Sequence, residues 1–180
     1  MDTVARPIGT SHRRAGASHL REIVMGSQDN LTNVLAVVVG VAIGSGDAST
    51  VALAGLAAGI AEAISMGGVL YTATKAERDL AISSGIAFTK RPASAAVATF
   101  AAALLAALFP LAPFAFLPLE GAMIAAAALS LGALFAIGSW TGGITGDRWW
   151  HSGLRFVVIG GLAAVAAGII GVVLETNGAG

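Results

Sequence analysis

Three side chains in this sequence combine type and spacing in a way that could bind and move a cation. Asp29 and Glu62 are carboxylates inside long apolar stretches, and Met66 follows Glu62 by one helical turn. An ionised acid at membrane depth costs about 3 kcal/mol or more unless a cation, a proton or water compensates it. The i, i+4 spacing places Glu62 and Met66 on one helix face. Oxygen donors alone suit calcium or magnesium, and an added thioether moves the preference towards softer divalent transition metals. Each acid can hold a metal when ionised and a proton when not, which is the chemistry that metal–proton exchange requires. Each residue also has a plainer reading. Asp29 can snorkel to a helix end, Glu62 can serve as a structural hydrogen-bonding group, and Met66 can fill space.

The elements that must position these residues are membrane helices. Of 180 residues, 56% are hydrophobic and 11% charged, against roughly a quarter charged in a soluble domain. Mean hydropathy is +0.83. The sequence predicts an all-α integral membrane protein with five transmembrane helices, at about 23–44, 50–74, 93–117, 121–145 and 153–174. Each is near the roughly 20 residues that cross a hydrocarbon core. The division is a flexible cytoplasmic tail over 1–20, a transport domain over 21–176 and a short tail over 177–180. Residues 1–20 carry no apolar core, so they do not read as a secretory signal. Pro110 and Pro113 predict a break near the end of the third span.

Charge orients the bundle. Under this division all ten Lys and Arg residues lie on one side or at its rim, from Arg6 to Arg155. The other side holds Asp47, Glu120 and Glu175. The positive-inside rule then puts the N-terminus in the cytoplasm and the C-terminus outside. Counting 1.5 Å per residue places Asp29 roughly 9 Å and Met66 roughly 12 Å from the cytoplasmic ends of their spans. Asp29 and Met66 are thus expected at similar depth, with Glu62 one turn deeper. Asn30, Thr32, Asn33 and Ser65 could add oxygen contacts. Gly40/Gly44, Gly55/Gly59 and Gly160, Gly161, Ala164 and Gly168 form small-residue patterns. These are expected to let helices approach within one bundle.

Other candidates carry less. His12 and His19 fall on the tail, and His151 sits beside Trp149 and Trp150 in what reads as an interfacial anchor. Lys75-Ala-Glu-Arg-Asp79 reads as a solvated, charge-mixed helix end: Glu77 and Asp79 could capture cations at the cytoplasmic mouth, but salt bridging to Lys75 or Arg78 is the favoured reading. The absence of Cys excludes disulfides and thiolate metal sites. No nucleophile–base pair or phosphate-cradling loop is evident, so the chain is not expected to be an enzyme or to bind nucleic acid.

The segments REIVMGSQDNLTNVLAVVVGV (Arg21 to Val41) and AGIAEAISMGGVLYTATKAERDL (Ala58 to Leu80) resemble the first two helices of the vacuolar iron transporter family. ALFPLAPF (Ala107 to Phe114) resembles its proline-containing third helix, and SGLRFVVIGGLAAVAAGIIGVVL resembles the fifth. The resemblance covers about Arg21 to Leu174. It implies a five-helix homodimer with the translocation path at the two-fold axis, exporting ferrous iron and often manganese against protons. The family's pathway Asp falls on Asp29 and its pathway Met on Met66. Asn30 stands where the family usually has Gly, and Ala58 stands at the position of a pathway Glu found in some members; Glu62 is our own candidate for that role. The loop between the second and third helices lacks the family's long metal-binding domain, so the chain resembles the short, nodulin-like and bacterial branch.

The expectation is a secondary transporter that exports Fe2+ or Mn2+ from the cytosol, with Asp29, Met66 and Glu62 as metal ligands and no resident cofactor. Its expected partners are a second copy, the bilayer, divalent metal ions and protons, and its expected location is a bacterial inner membrane. The alternatives are a non-transporting scaffold or accessory subunit, and a transporter of another small cation on the same fold.

Overall fold

A computed structural model describes residues 10–176, with side chains from residue 20 onward. Five α-helices follow one another: α1 (Thr10–Ser45), α2 (Ala48–Ser83), α3 (Pro92–Leu111), α4 (Leu119–Thr145) and α5 (Trp149–Thr176). No strand occurs among the described residues. Helix α1 begins inside the segment assigned to the tail, and residues 1–9 and 177–180 lie outside the described residues, as do the side chains of His12 and His19.

Local chemistry sets the ends. Gly46 takes φ 64° between α1 and α2, a conformation a Cβ disfavours. Asp47 caps α2, accepting from the Thr50 amide at 2.8 Å and from the Ser49 and Thr50 hydroxyls. These bonds, Ser49's first, hold the Asp47 carboxyl well below the usual carboxylate range. α3 gives way at Leu111 to a 3-10 turn over Ala112–Ala115. This is the expected break, since Pro113 has no N–H to continue the α-helical ladder. Gly146 ends α4 in the left-handed region at φ 80°.

Four stretches are long and apolar enough to cross a membrane: Ala48–Ser83, Pro92–Ala115, Leu119–Thr145 and Trp149–Thr176. The expectation of five spans is therefore met at four. α1 falls short because Gln28, Asp29, Asn30 and Asn33 interrupt it. Its apolar part from Leu31 to Gly44 covers only about 21 Å, against a core of about 30 Å. α2 also differs from expectation. It runs past Thr74 to Ser83 and reaches about 54 Å, longer than the hydrocarbon thickness. Lys75, Glu77, Arg78 and Asp79 are exposed on this extension. No ion pair joins them among the described residues, contrary to the expected internal salt bridges.

On α2 to α5 most large apolar side chains point outward and most buried positions are small, the arrangement a bilayer solvent permits, whereas α1 buries Leu31, Val34, Leu35 and Val38. Leu53, Ile124 and Leu162 are more than half exposed. The buried stripe of α2 is Val51, Gly55, Gly59, Ala63, Gly67, Leu70 and Thr74. A Cβ on Gly26 would lie 2.5 Å from the Thr99 carbonyl oxygen, and one on Gly171 would lie 2.5 Å from that of Gly40. The glycine patterns thus serve packing within the bundle, except Gly161, which faces open space.

These contacts fix direction. Gly26 meets Thr99 and Asn30 meets Ala103, so α1 and α3 run parallel. Gly40 meets Ala167 and Gly44 meets Gly171, so α5 runs with them. Gly55 opposes Val38 and Leu111 while Gly59 opposes Val34 and Ala107, and Gly138 opposes Gly153 while Gly142 opposes Trp149, so α2 and α4 run the other way. α1 packs against all four other helices.

Candidate ion path at the first two helices

The site is built on the α1–α2 seam, and one polar side chain sets its register. Asn30 is fully buried, and its side-chain amide donates to the carbonyl oxygens of Gly59 on α2, at 3.0 Å, and Ala103 on α3, at 2.8 Å. Gly59 admits this approach because it presents no Cβ to Val34 and Ala107. One residue earlier on α1, Asp29 points off the packed face and is exposed. Across the seam the carboxyl of Glu62 interacts with that of Asp29 and with the side chain of Asn33.

Asp29 and Glu62 are therefore brought together at one level. Sequence arithmetic had paired Asp29 with Met66 and set Glu62 deeper. Glu62 still lies deeper than Met66, but Asp29 sits a turn deeper than counted, because α1 begins at Thr10 and α2 ends at Ser83, and these two overruns differ by about one turn. Met66 is half-buried and stands one turn along α2 from Glu62, towards the end where α1 begins. Of the four auxiliary oxygen donors, Asn33 joins Glu62 and Ser65 is exposed beside the seam. Asn30 and Thr32 are buried in the bundle instead, with Thr32 turned towards Gly160 on α5. Ala58 is half-buried one turn along α2 from Glu62 and offers no donor.

The open stripe of α1 continues beyond Asn33. Ala36, Val37, Gly40 and Gly44 line an apolar groove of about 380 Å³ against Ala167, Ile170 and Gly171 of α5. Two carboxylates thus sit on an outward face that leads into an apolar groove. Among the described residues no three His, Cys, Asp or Glu side chains gather in one place. A single chain here offers an incomplete shell for a divalent ion, even with a thioether added.

Sequence reasoning missed one acid. Glu22 is fully buried on α1, and its carboxylate pairs with Lys90 at 2.8 Å. Lys90 lies in the connection to α3, so this pair ties that connection to the first helix. The available signal was spacing: Glu22 precedes Asp29 by two turns, on the same side of α1. The His151 and Trp150 rings lie with centroids 3.6 Å apart, tilted by 59° to each other. Arg155 reaches back along α5 to Asp147 at 3.0 Å, as a cationic side chain near a membrane surface would.

The family model of the VIT family matches residues 20–85 and 80–172. A comparison with curated proteins finds no match. The matched segments take in Asp29, Glu62 and Met66, all of α2, α3 and α4 and most of α1 and α5. On that match the chain belongs to the VIT, or vacuolar iron transporter, family, and it is an integral membrane protein of a metal-ion transporter family.

Proposed function

We propose that this protein is a secondary transporter that exports Fe2+ or Mn2+ from the cytosol in exchange for protons, through a path shared by two copies. The observation that carries this reading is the meeting of Asp29 and Glu62 on an outward face of apolar helices. Two carboxylates there repel each other when both are charged, and a divalent cation or a proton relieves that repulsion. Ion and proton therefore compete for the same pair, and alternating occupancy couples their movements.

Two copies joined along the open stripe of α1 would present each donor twice and give a two-fold shell of four carboxylates and two thioethers. The same contact would remove both acids from lipid. In this arrangement α1 is the fifth crossing, since its polar middle is covered by Asn30's bonds on one side and by the partner on the other. The basic residues cluster where α1, α3 and α5 begin, which favours that end as cytoplasmic. A bacterial inner membrane is the location we assign.

Purified protein in liposomes, supplied with Fe2+, Mn2+, Co2+ or Zn2+ with and without a pH gradient, tests the reading. Flux of Fe2+ or Mn2+ driven by the gradient is expected, with loss in Asp29→Ala and Met66→Ala and uncoupling or loss in Glu62→Gln. Full flux in both Ala variants removes the site, and an inert parent protein favours an accessory subunit.

A further inference from the structure

We infer that Met25 forms, with Met66, a thioether layer at the mouth of the path, ahead of the carboxylates, which recognises soft metal ions. This rests on the reading of the Asp29–Glu62 seam as an ion path. The argument starts from the register of α1 and α2. These helices run antiparallel, with Asn30 and Val34 against Gly59, Val38 against Gly55 and Asp29 against Glu62. The same register carried one turn towards the start of α1 sets Met25 level with Met66. Met25 precedes Asp29 by four residues and Met66 follows Glu62 by four, so each thioether shares a helix face with its carboxylate.

The surroundings of the methionines separate these two from a packing role. Met123 on α4 packs against the apolar cluster of Val34, Val38, Ala42, Val51, Ala107 and Ala126. Met25 and Met66 belong to neither apolar cluster of the core. Both are half-buried, neither locked in the interior nor turned fully outward. An ion entering from the end where α1 begins would meet two sulfurs first and two carboxylates one turn, or about 5 Å, later. Sulfur carries no charge or proton here, so this layer leaves exchange to the acids. It ranks ions by softness before the acids hold them.

Cadmium is the probe, because it binds thioethers more readily than Mn2+ does. Met25→Leu and Met66→Leu keep the apolar volume; Met25→Leu is compared with the parent in liposomes for Cd2+ inhibition of Mn2+ flux, and both variants, singly and together, for Cd2+ binding in detergent. Met25→Leu is expected to weaken inhibition on the order of tenfold and to change Mn2+ flux in the absence of Cd2+ by much less. In the Met66→Leu background the further loss of Cd2+ binding is expected to be small, since both sulfurs serve one ion. X-ray absorption of Cd2+ bound to the detergent-solubilised protein should show sulfur scattering that falls in Met25→Leu. That readout stands whether or not the liposomes pass metal.

Unchanged inhibition and unchanged sulfur scattering in Met25→Leu overturn the inference. So does an effect that adds fully to that of Met66→Leu, or an equal loss of Cd2+ and Mn2+ handling, which would make Met25 a packing residue. Failure of the underlying path reading shows separately, as undiminished Mn2+ flux in Asp29→Ala.

Discussion

Replacing Asn30 with Asp tests whether one amide holds three helices in register. The change is nearly isosteric, so it leaves packing alone and alters only the donors. In the native protein the amide donates to Gly59 and Ala103, which lie on different helices. Both acceptors are helical carbonyls, so neither is orphaned when the amide is lost. Asn30→Ala then costs two hydrogen bonds and a small cavity. At about 0.6 kcal/mol per interhelical bond in a membrane, and up to about 1.5 in general, the bonds account for about 1–3 kcal/mol. Asn30→Asp does worse. A carboxylate cannot donate to either carbonyl. Neutralising a carboxyl of ordinary acidity at pH 7 costs about 4 kcal/mol, and the one proton gained serves one acceptor. The expected order of stability at neutral pH is Asn, then Ala, then Asp, with Asp losing its disadvantage to Ala as the pH is lowered. Equilibrium unfolding in mixed detergent micelles, followed by helicity across a pH series, reads this order. An Asp variant as stable as the parent would mean that size, not hydrogen bonding, makes Asn30 fit, and the register argument would fall.

Three further outcomes are expected. Gly26→Ala should lower the unfolding midpoint sharply, because its Cβ would lie 2.5 Å from a backbone oxygen of α3, whereas Gly68→Ala, with open space around it, should be neutral or slightly stabilising. Removing either partner of the Glu22–Lys90 pair should destabilise by up to about 3–5 kcal/mol, and the double Met variant should recover part of that loss in the same unfolding assay. Asp47→Ala should destabilise the start of α2 at neutral pH, and Asp47→Ser should retain most of the cap. The folded carboxyl of Asp47 is held below its ordinary value, so its contribution is complete above the unfolded value of about 3.9. It fades as pH falls through the lower folded value. Parent and Asp47→Ala unfolding midpoints should therefore converge only in strong acid.

Much of this protein is legible in one dimension. Hydropathy is a sum along the chain, so the apolar stretches, their short connections and the proline break in the third helix follow from residue order alone. The two acids stand out for the same reason, because a carboxylate within an apolar run is conspicuous whatever lies beside it. Glu22 is not conspicuous in that way. It sits in the polar stretch before the first apolar run, and only the return of the chain to Lys90 after α2 makes it a buried ion pair. Depth was likewise misjudged by a turn, since a helix that overruns the membrane has no end to count from. Opposition of Asp29 and Glu62 depends on where glycines let helices touch, and on which face of α1 the bonds of Asn30 turn inward. Composition along the chain determines which solvent surrounds this protein; contacts between helices decide which side chains meet, because register is a property of pairs of surfaces and not of either sequence alone.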